Sequence, residues 1–138
     1  MAYITNIPSL TYLLVLYFII VFTTGNTALE AMDAELFNIP LISQATLKVT
    51  VSELLILLGV IALYIEIFKS TRTSSSDTIV EHGISMALFI VYLVLFLIVE
   101  KAATSAFLIL MMIQLLDVVG GFTISISTAR RDINMNPH

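Results

Sequence analysis

Four long apolar runs, separated by short polar segments, dominate the pattern along the chain. A bilayer core of about 30 Å is crossed by roughly 17–25 helical residues, and in lipid every backbone amide must pair within its own segment. Runs of this length are therefore expected to be α-helices. The pattern predicts an all-α, polytopic integral membrane protein, with one domain over 1–138 and transmembrane helices at about 7–24, 51–69, 79–100 and 102–128.

The second and third helices carry capping motifs at their predicted starts. Thr50 is followed by Glu53, and Thr78 by Glu81. At this spacing each Thr–Glu pair can satisfy free amides at a helix start reciprocally. The motifs place the start of the third helix near Ile79, which gives that run the length it needs to cross.

The remaining boundaries carry weaker signals. Asn6 can cap the first helix, Pro8 suits its first turn and Gly25 suits its end. The pair Glu100–Lys101 is the only polar break between the third and fourth runs. It predicts a tight helical hairpin.

The first run has a rival interpretation as a secretory signal peptide, because the small residues Ala28 and Ala31 follow it. Signal peptides begin with basic residues, and the stretch before this run contains neither Lys nor Arg. We therefore expect the run to be retained as a helix.

The segment between the first two helices favours β-structure. Two short runs at 36–41 and 46–51 are rich in β-forming residues. They predict a short, hairpin-like extracytoplasmic segment, with Pro40 on an edge because it lacks an amide hydrogen. The polar stretch at 70–77 is expected to be a loop.

Composition narrows the class of protein further. Apolar residues make up 59% and charged residues 12%, and the mean hydropathy is +1.03, unlike a soluble globular domain, a disordered tail or a nucleic-acid-binding protein. The chain has no Cys, and its two histidines are His82 and His138. No cofactor and no metal site are therefore predicted.

The basic residues predict the orientation, since they are enriched in cytoplasmic loops. Four lie at one side of the predicted bundle, and Lys48 and Lys101 lie at the other. The four are Lys69, Arg72, Arg130 and Arg131. Both termini and the 69–83 loop are thus expected in the cytoplasm, and Arg130–Arg131 is expected to touch anionic head groups.

Two carboxyl groups inside the predicted spans need an explanation, because ionisable side chains are costly in lipid. Glu66 lies in the second helix and Asp117 in the fourth. At 1.5 Å per residue, both lie roughly 22 Å from the outer helix ends. They are expected to share one layer in the cytoplasmic leaflet.

Polar and small residues form one stripe on each of these helices, at spacings of three and four residues. Small residues allow close helix packing. We therefore expect the second and fourth helices to be in contact. The stripes consist of Gly59, Ala62, Glu66 and Lys69 on one helix and of Gln114, Asp117, Gly121, Ser125 and Thr128 on the other, with Gly120 beside Gly121.

The carboxyl groups allow two interpretations. They can join helices to one another, either by hydrogen bonds or by pairing with basic residues near the inner interface, namely Lys69, Arg72, Arg130 or His82. Alternatively, one of them is a proton or cation site. The first interpretation is favoured, because the residues between this layer and the outer face are mainly apolar and offer no polar pathway for an ion.

His82 could ligate haem or relay protons, but a single histidine at the interface more often forms a hydrogen bond. The chain contains no P-loop, GxSxG, HExxH, CxxC or GxGxxG pattern. The sequence therefore predicts that the protein is not an enzyme.

Three stretches are similar to a known group of proteins: Glu66-Ile-Phe-Lys-Ser-Thr-Arg72, Glu81-His-Gly83, and Asp117-Val-Val-Gly-Gly-Phe-Thr-Ile-Ser-Ile126 running to Ala129-Arg-Arg-Asp132. Together they resemble uncharacterised small four-helix inner-membrane proteins of proteobacteria. The resemblance implies a bacterial membrane location. The family brings no established activity, so it implies no functional residue.

The sequence thus predicts a non-enzymatic accessory or scaffolding subunit. Its expected partners are the lipid bilayer and either further copies of itself or a larger membrane complex, contacted through its small-residue faces. The alternative is a small oligomeric transporter or channel with proton or cation coupling at Glu66 or Asp117. A membrane enzyme or cofactor carrier is a third, weaker hypothesis.

Overall fold

The computed structural model describes residues 7–72 and 75–135, apart from the side chains of 75–77 and 132. The chain is mostly helical, which confirms the predicted all-α class. A hairpin of two strands lies between the first two long helices. The helices are α1 (Ser9–Thr23), α2 (Ala28–Asp33), α3 (Val51–Ser70), α4 (Ser75–Ile98) and α5 (Ser105–Met135), and the strands are β1 (Glu35–Pro40) and β2 (Thr46–Thr50).

Within the described residues, three helices are long and apolar enough to cross a membrane: α3, α4 from Thr78 onward, and α5. α1 has 15 residues and is roughly 22 Å long, which is shorter than the predicted 7–24. The boundaries of α5 also differ from the predicted 102–128. A 3₁₀ turn at Glu100–Ala102 forms the expected tight hairpin and delays the helix start to Ser105.

The two predicted capping motifs have different outcomes. The motif at α3 is confirmed, because Glu53 accepts from the Thr50 amide (2.8 Å) and hydroxyl. The motif at α4 does not mark a helix start, because the helix already begins at Ser75. The expected loop at 70–77 is correspondingly shorter, since four of its residues are helical, one at the end of α3 and three at the start of α4.

The ends of α1 partly match the prediction. Gly25 follows the helix with φ +68°, a left-handed conformation that glycine adopts at little cost. Pro8 is the N-cap residue and not part of the first turn. Asn6 lies outside the described residues.

The predicted hairpin is present, with β1 and β2 antiparallel. Pro40 pairs with Thr46 at the end of the strands nearest the turn, and both strands of a two-stranded sheet are edges. The short helix α2 was not predicted. Its capping box at Thr27 and Glu30 has the same spacing as the motif that identified the start of α3.

α5 is the central helix and packs against both α3 and α4, while α1 packs mainly against α3. The contact between α3 and α5 confirms the prediction made from their polar stripes. At Gly59 the helices come so close that an added Cβ would lie 2.8 Å from Cδ2 of Leu110. Phe107 of α5 lies at the centre of an aromatic cluster with Tyr17 and Tyr92.

A candidate polar site at one end of the bundle

Buried polar side chains gather where α1 begins and α3 ends. In the described part of the chain, five of the six buried polar residues lie here, and Thr104 lies at the other end. We call this group, with the partly exposed residues bonded to it, the polar layer. It consists of Ser9, Glu66, Lys69, His82, Ser85, Gln114, Asp117 and Ser125.

Glu66 joins α3 to the start of α1. Its Oε1 atom accepts hydrogen bonds from the Ser9 amide (2.7 Å) and the Ser9 hydroxyl (2.8 Å). The free amides at a helix start carry partial positive charge, which a carboxylate stabilises. The Lys69 ammonium lies 3.2 Å from the same oxygen. Although Glu66 is 8% exposed, its charge is therefore met by two donors and one cation.

Asp117 is joined to Gln114 and to α4. The Gln114 amide nitrogen donates to the Ser85 carbonyl oxygen (2.9 Å) and to Oδ2 of Asp117 (3.4 Å). The Ser85 hydroxyl also hydrogen-bonds to the Asp117 carboxyl. Oε1 of Gln114 is buried and has no partner in the described part of the chain. A buried acceptor without a partner is costly and usually indicates water or a function.

His82 joins α4 to α5 at the edge of the polar layer. Its Nε2 atom lies 2.6 Å from Oγ of Ser125, and its ring stacks on Phe122 with centroids 4.7 Å apart. A Cβ atom added at Gly121 would come within 2.6 Å of Cε1 of His82. The missing side chain at Gly121 therefore makes room for the imidazole, and the ring occupies it.

A small cavity lies within the layer. Its volume is about 10 Å³, close to the least space that holds one water molecule. Both Glu66 and Asp117 line it, so the two carboxyl groups share one space, as their depths predicted. The other lining residues are Pro8, Lys69, Ser70, Glu81, His82 and Ser85.

Other predicted site residues lie elsewhere or have other contacts. Gly120 lies against Ile67 of α3 at ordinary packing distance. The Arg72 guanidinium lies 4.4 Å from the centroid of the Phe68 ring. Arg130 and Arg131 are exposed on the last turns of α5. Of the basic partners proposed for Glu66, the structure thus brings Lys69 to it.

Thr128 was expected to share the inward stripe of α5, but this prediction is wrong. Its side chain is exposed, and its hydroxyl donates to the Ile124 carbonyl of the same helix (2.9 Å). A threonine hydroxyl can bond to its own helix in this way, so Thr128 needs no partner from another helix.

A second hydrogen-bonded cluster closes the opposite end of the bundle, and the sequence did not reveal it. The Tyr17 hydroxyl donates to the Lys101 carbonyl oxygen (2.7 Å) and lies 2.7 Å from Oγ1 of Thr104. The Lys101 ammonium donates to the Val21 carbonyl oxygen (3.2 Å). This cluster ties the end of α1 to the turn between α4 and α5, and the only available signal was the polar break at Glu100–Lys101.

The space between the two clusters is filled by apolar side chains. Leu13, Leu55, Phe107 and Leu110 are all buried there. Tyr92 is the polar exception, and its hydroxyl donates to the Leu10 carbonyl oxygen (2.8 Å). The described part of the chain therefore offers no continuous row of polar side chains from one cluster to the other.

The described residues include no group of three or more His, Asp or Glu side chains placed to hold a metal ion. No protein family, curated protein or solved structure matches the chain. The resemblance to proteobacterial inner-membrane proteins therefore stays a prediction. The internal geometry of the polar layer is the basis for a functional proposal.

Proposed function

We propose that the chain is a non-enzymatic integral membrane protein that crosses a bacterial inner membrane four times and serves as an accessory or scaffolding subunit. The observation that carries the proposal is that the buried carboxyl groups are hydrogen-bonded within the chain. Glu66 and Asp117 are both bound to other groups of the same chain, and apolar residues separate their layer from the opposite end. This arrangement fastens helices together.

Crossing by α1 is part of this proposal. The start of α1 is bonded to Glu66 in the polar layer, and its last turn is bonded to Lys101 at the other end. α1 therefore extends between the two ends of the bundle despite its length. With cytoplasmic termini, the polar layer lies in the inner leaflet, and Lys69 and Arg72 lie at the inner surface.

Association with other protein is supported by the large outward-facing surface. In their most apolar stretches, 22% of the residues of α3 and of α4 are buried, against 44% for α5. The small residues do not provide this surface, since Gly59 and Gly121 are used inside the chain. Partner contacts would instead involve the large exposed apolar residues of α1 and α4, such as Ile19 and Ile90.

The alternative function is proton or cation coupling in a small transporter or channel. The unpartnered Gln114 oxygen and the cavity between Glu66 and Asp117 favour it. A transporter also needs access from the other side, and the buried residues between the polar layer and that side are mainly apolar. Coupling would therefore require α1 or α4 to move away from α5.

One experiment separates the two functions. The purified protein is reconstituted into vesicles for proton and sodium flux. For native mass spectrometry, the protein is instead taken directly from its own cell membrane into lipid nanodiscs, together with any bound partner. The accessory role predicts flux equal to that of empty vesicles and particles heavier than one 15.2 kDa chain. Flux lost in Glu66→Gln or Asp117→Asn, but kept in the exposed control Glu100→Gln, would contradict it. A strictly monomeric particle would contradict it as well.

A further inference from the structure

The β1–β2 hairpin has one apolar and one polar face. Phe37 pairs with Val49, and Ile39 with Leu47, so these four side chains share one face, since directly opposed residues point the same way. We call them the apolar hairpin face. The other face carries Asn38, Thr46 and Lys48.

The apolar hairpin face is open over most of its length. Phe37 is 50% exposed, Ile39 41% and Leu47 50%, whereas Val49 at the base is 7% exposed. At the tip, Ile42 is completely exposed. Contiguous apolar surface of this kind is unusual on a surface that faces only water.

The base of the hairpin is fixed at the start of a membrane-spanning helix. β2 ends at Thr50 and α3 begins at Val51, so no linker separates them. The Val51 amide also donates to the Ala34 carbonyl oxygen (3.1 Å), which ties the other strand to the same point. The hairpin therefore lies next to the membrane surface if α3 crosses the membrane.

We propose that the apolar hairpin face lies on the surface of this same bilayer. It would anchor, between the lipid head groups, the end of the protein where α1 ends and α3 begins. The inference rests on the membrane location in the proposed function. The hairpin thus acts as an interfacial anchor, in which apolar side chains enter the head-group region and the polar face remains in water.

Charge and continuity favour lipid over a protein partner. The charged groups of the two strands, Glu35 and Lys48, are paired with each other at 2.8 Å, which leaves no net charge to recognise a partner. Beyond the base, the outward-facing residues Leu54, Leu57 and Leu58 of α3 continue the apolar surface. One lipid surface can cover both regions.

Site-directed spin labelling of the full chain tests this proposal directly, because the protein has no native cysteine. Single labels at Ile39→Cys and Leu47→Cys probe the apolar hairpin face, and labels at Asn38→Cys and Thr46→Cys probe the polar face. In phosphatidylcholine vesicles, the ratio of oxygen to nickel-chelate collisions should be higher on the apolar face. Anionic lipid should leave this difference unchanged, because the hairpin has no free charge.

A label at Leu57→Cys, on the outward face of α3, serves as the reference. Equal nickel access on both hairpin faces, with Leu57 in lipid, would overturn the anchor and leave the membrane location intact. Nickel access at Leu57 would instead overturn the proposed function. Labels on the apolar face that are shielded from both reagents would show a protein contact, which also overturns the anchor.

Discussion

A buried carboxylate is tolerated when its surroundings supply donors and opposite charge. Glu66 receives both, from the Ser9 amide and hydroxyl and from Lys69. Sequence spacing could place Glu66 near Lys69, three residues away on one helix. It could not reveal Ser9, because that bond depends on how α1 docks against the end of α3.

The contact between Gly121 and His82 gives a prediction with a matched control. In Gly121→Ala the new methyl group would meet the imidazole and displace it from Ser125 and Phe122, and overpacking typically costs about 1–3 kcal/mol. Gly83→Ala adds the same methyl group in open space and should stabilise the helix by up to about 1 kcal/mol.

Equilibrium unfolding in mixed micelles measures both glycine variants. Gly121→Ala is expected to be the less stable of the two by about 2 kcal/mol, which is the cost of the crowding, because the helix gain is common to both variants and cancels. Equal stability of the two variants would show that the imidazole does not occupy the space beside Gly121.

Among the elements, α1 is held at both ends by partners from other parts of the fold. A carboxylate lies at its start and the Lys101 ammonium at its last turn, which is the favourable arrangement for the helix dipole. The sequence indicated α1 by its apolar run and by the end signals at Asn6, Pro8 and Gly25. Its pattern could not show these partners, because both arise from tertiary packing.

The Tyr17 hydroxyl is predicted to hold α1 to the turn between α4 and α5. Tyr17→Phe leaves the Lys101 carbonyl and Thr104 without this partner, and such a loss costs about 1–2 kcal/mol. Tyr12→Phe removes a hydroxyl from an exposed ring of the same helix and should have little effect. Thermal unfolding of both variants tests this prediction. An equal loss of stability in the two variants would contradict the role of Tyr17.

The hairpin gives a pH-dependent prediction outside the membrane spans. The pKa of Lys48 is raised above its ordinary value of 10.5, because Lys48 donates to Glu35 and lies beside its charge. The stabilisation by this pair is present below 10.5 and is lost as the pH rises through the raised pKa. Salt weakens the effect, because both groups are exposed.

An NMR titration of the Lys48 Cε resonance tests the pair. Glu35→Gln should lower the pKa of Lys48, and Asp33→Asn, which removes a neighbouring exposed carboxylate, should leave it nearly unchanged. If Lys48 titrates at the same pH with and without Glu35, the two side chains are not paired.

For the whole molecule, apolar run length was sufficient to predict the long helices. The stripes of polar and small residues on α3 and α5 predicted the contact between these two helices. The polar layer was partly predictable, because Glu66, Gln114 and Asp117 stand out against apolar neighbours at a common depth. The cluster around Tyr17 was not, since tyrosine and threonine are common near interfaces and only the packed structure brings them together.

The orientation of the whole molecule is a separate prediction. A cysteine at Ser43, in the hairpin turn, should react with an impermeant thiol reagent added outside intact cells. A cysteine at Thr71, exposed after α3, should react only after the membrane is opened. The reverse pattern would contradict the orientation assigned from the basic residues.

The central claim is that the buried carboxyl groups join helices of one chain. A double-mutant cycle between Ser9→Ala and Glu66→Met measures this most directly, with the free energy of unfolding determined in a lipid environment. The hydrogen bond between the two side chains predicts a coupling energy of about 1 kcal/mol. Strictly additive effects would contradict the claim, because they would mean that the Ser9 hydroxyl and the Glu66 carboxylate do not interact.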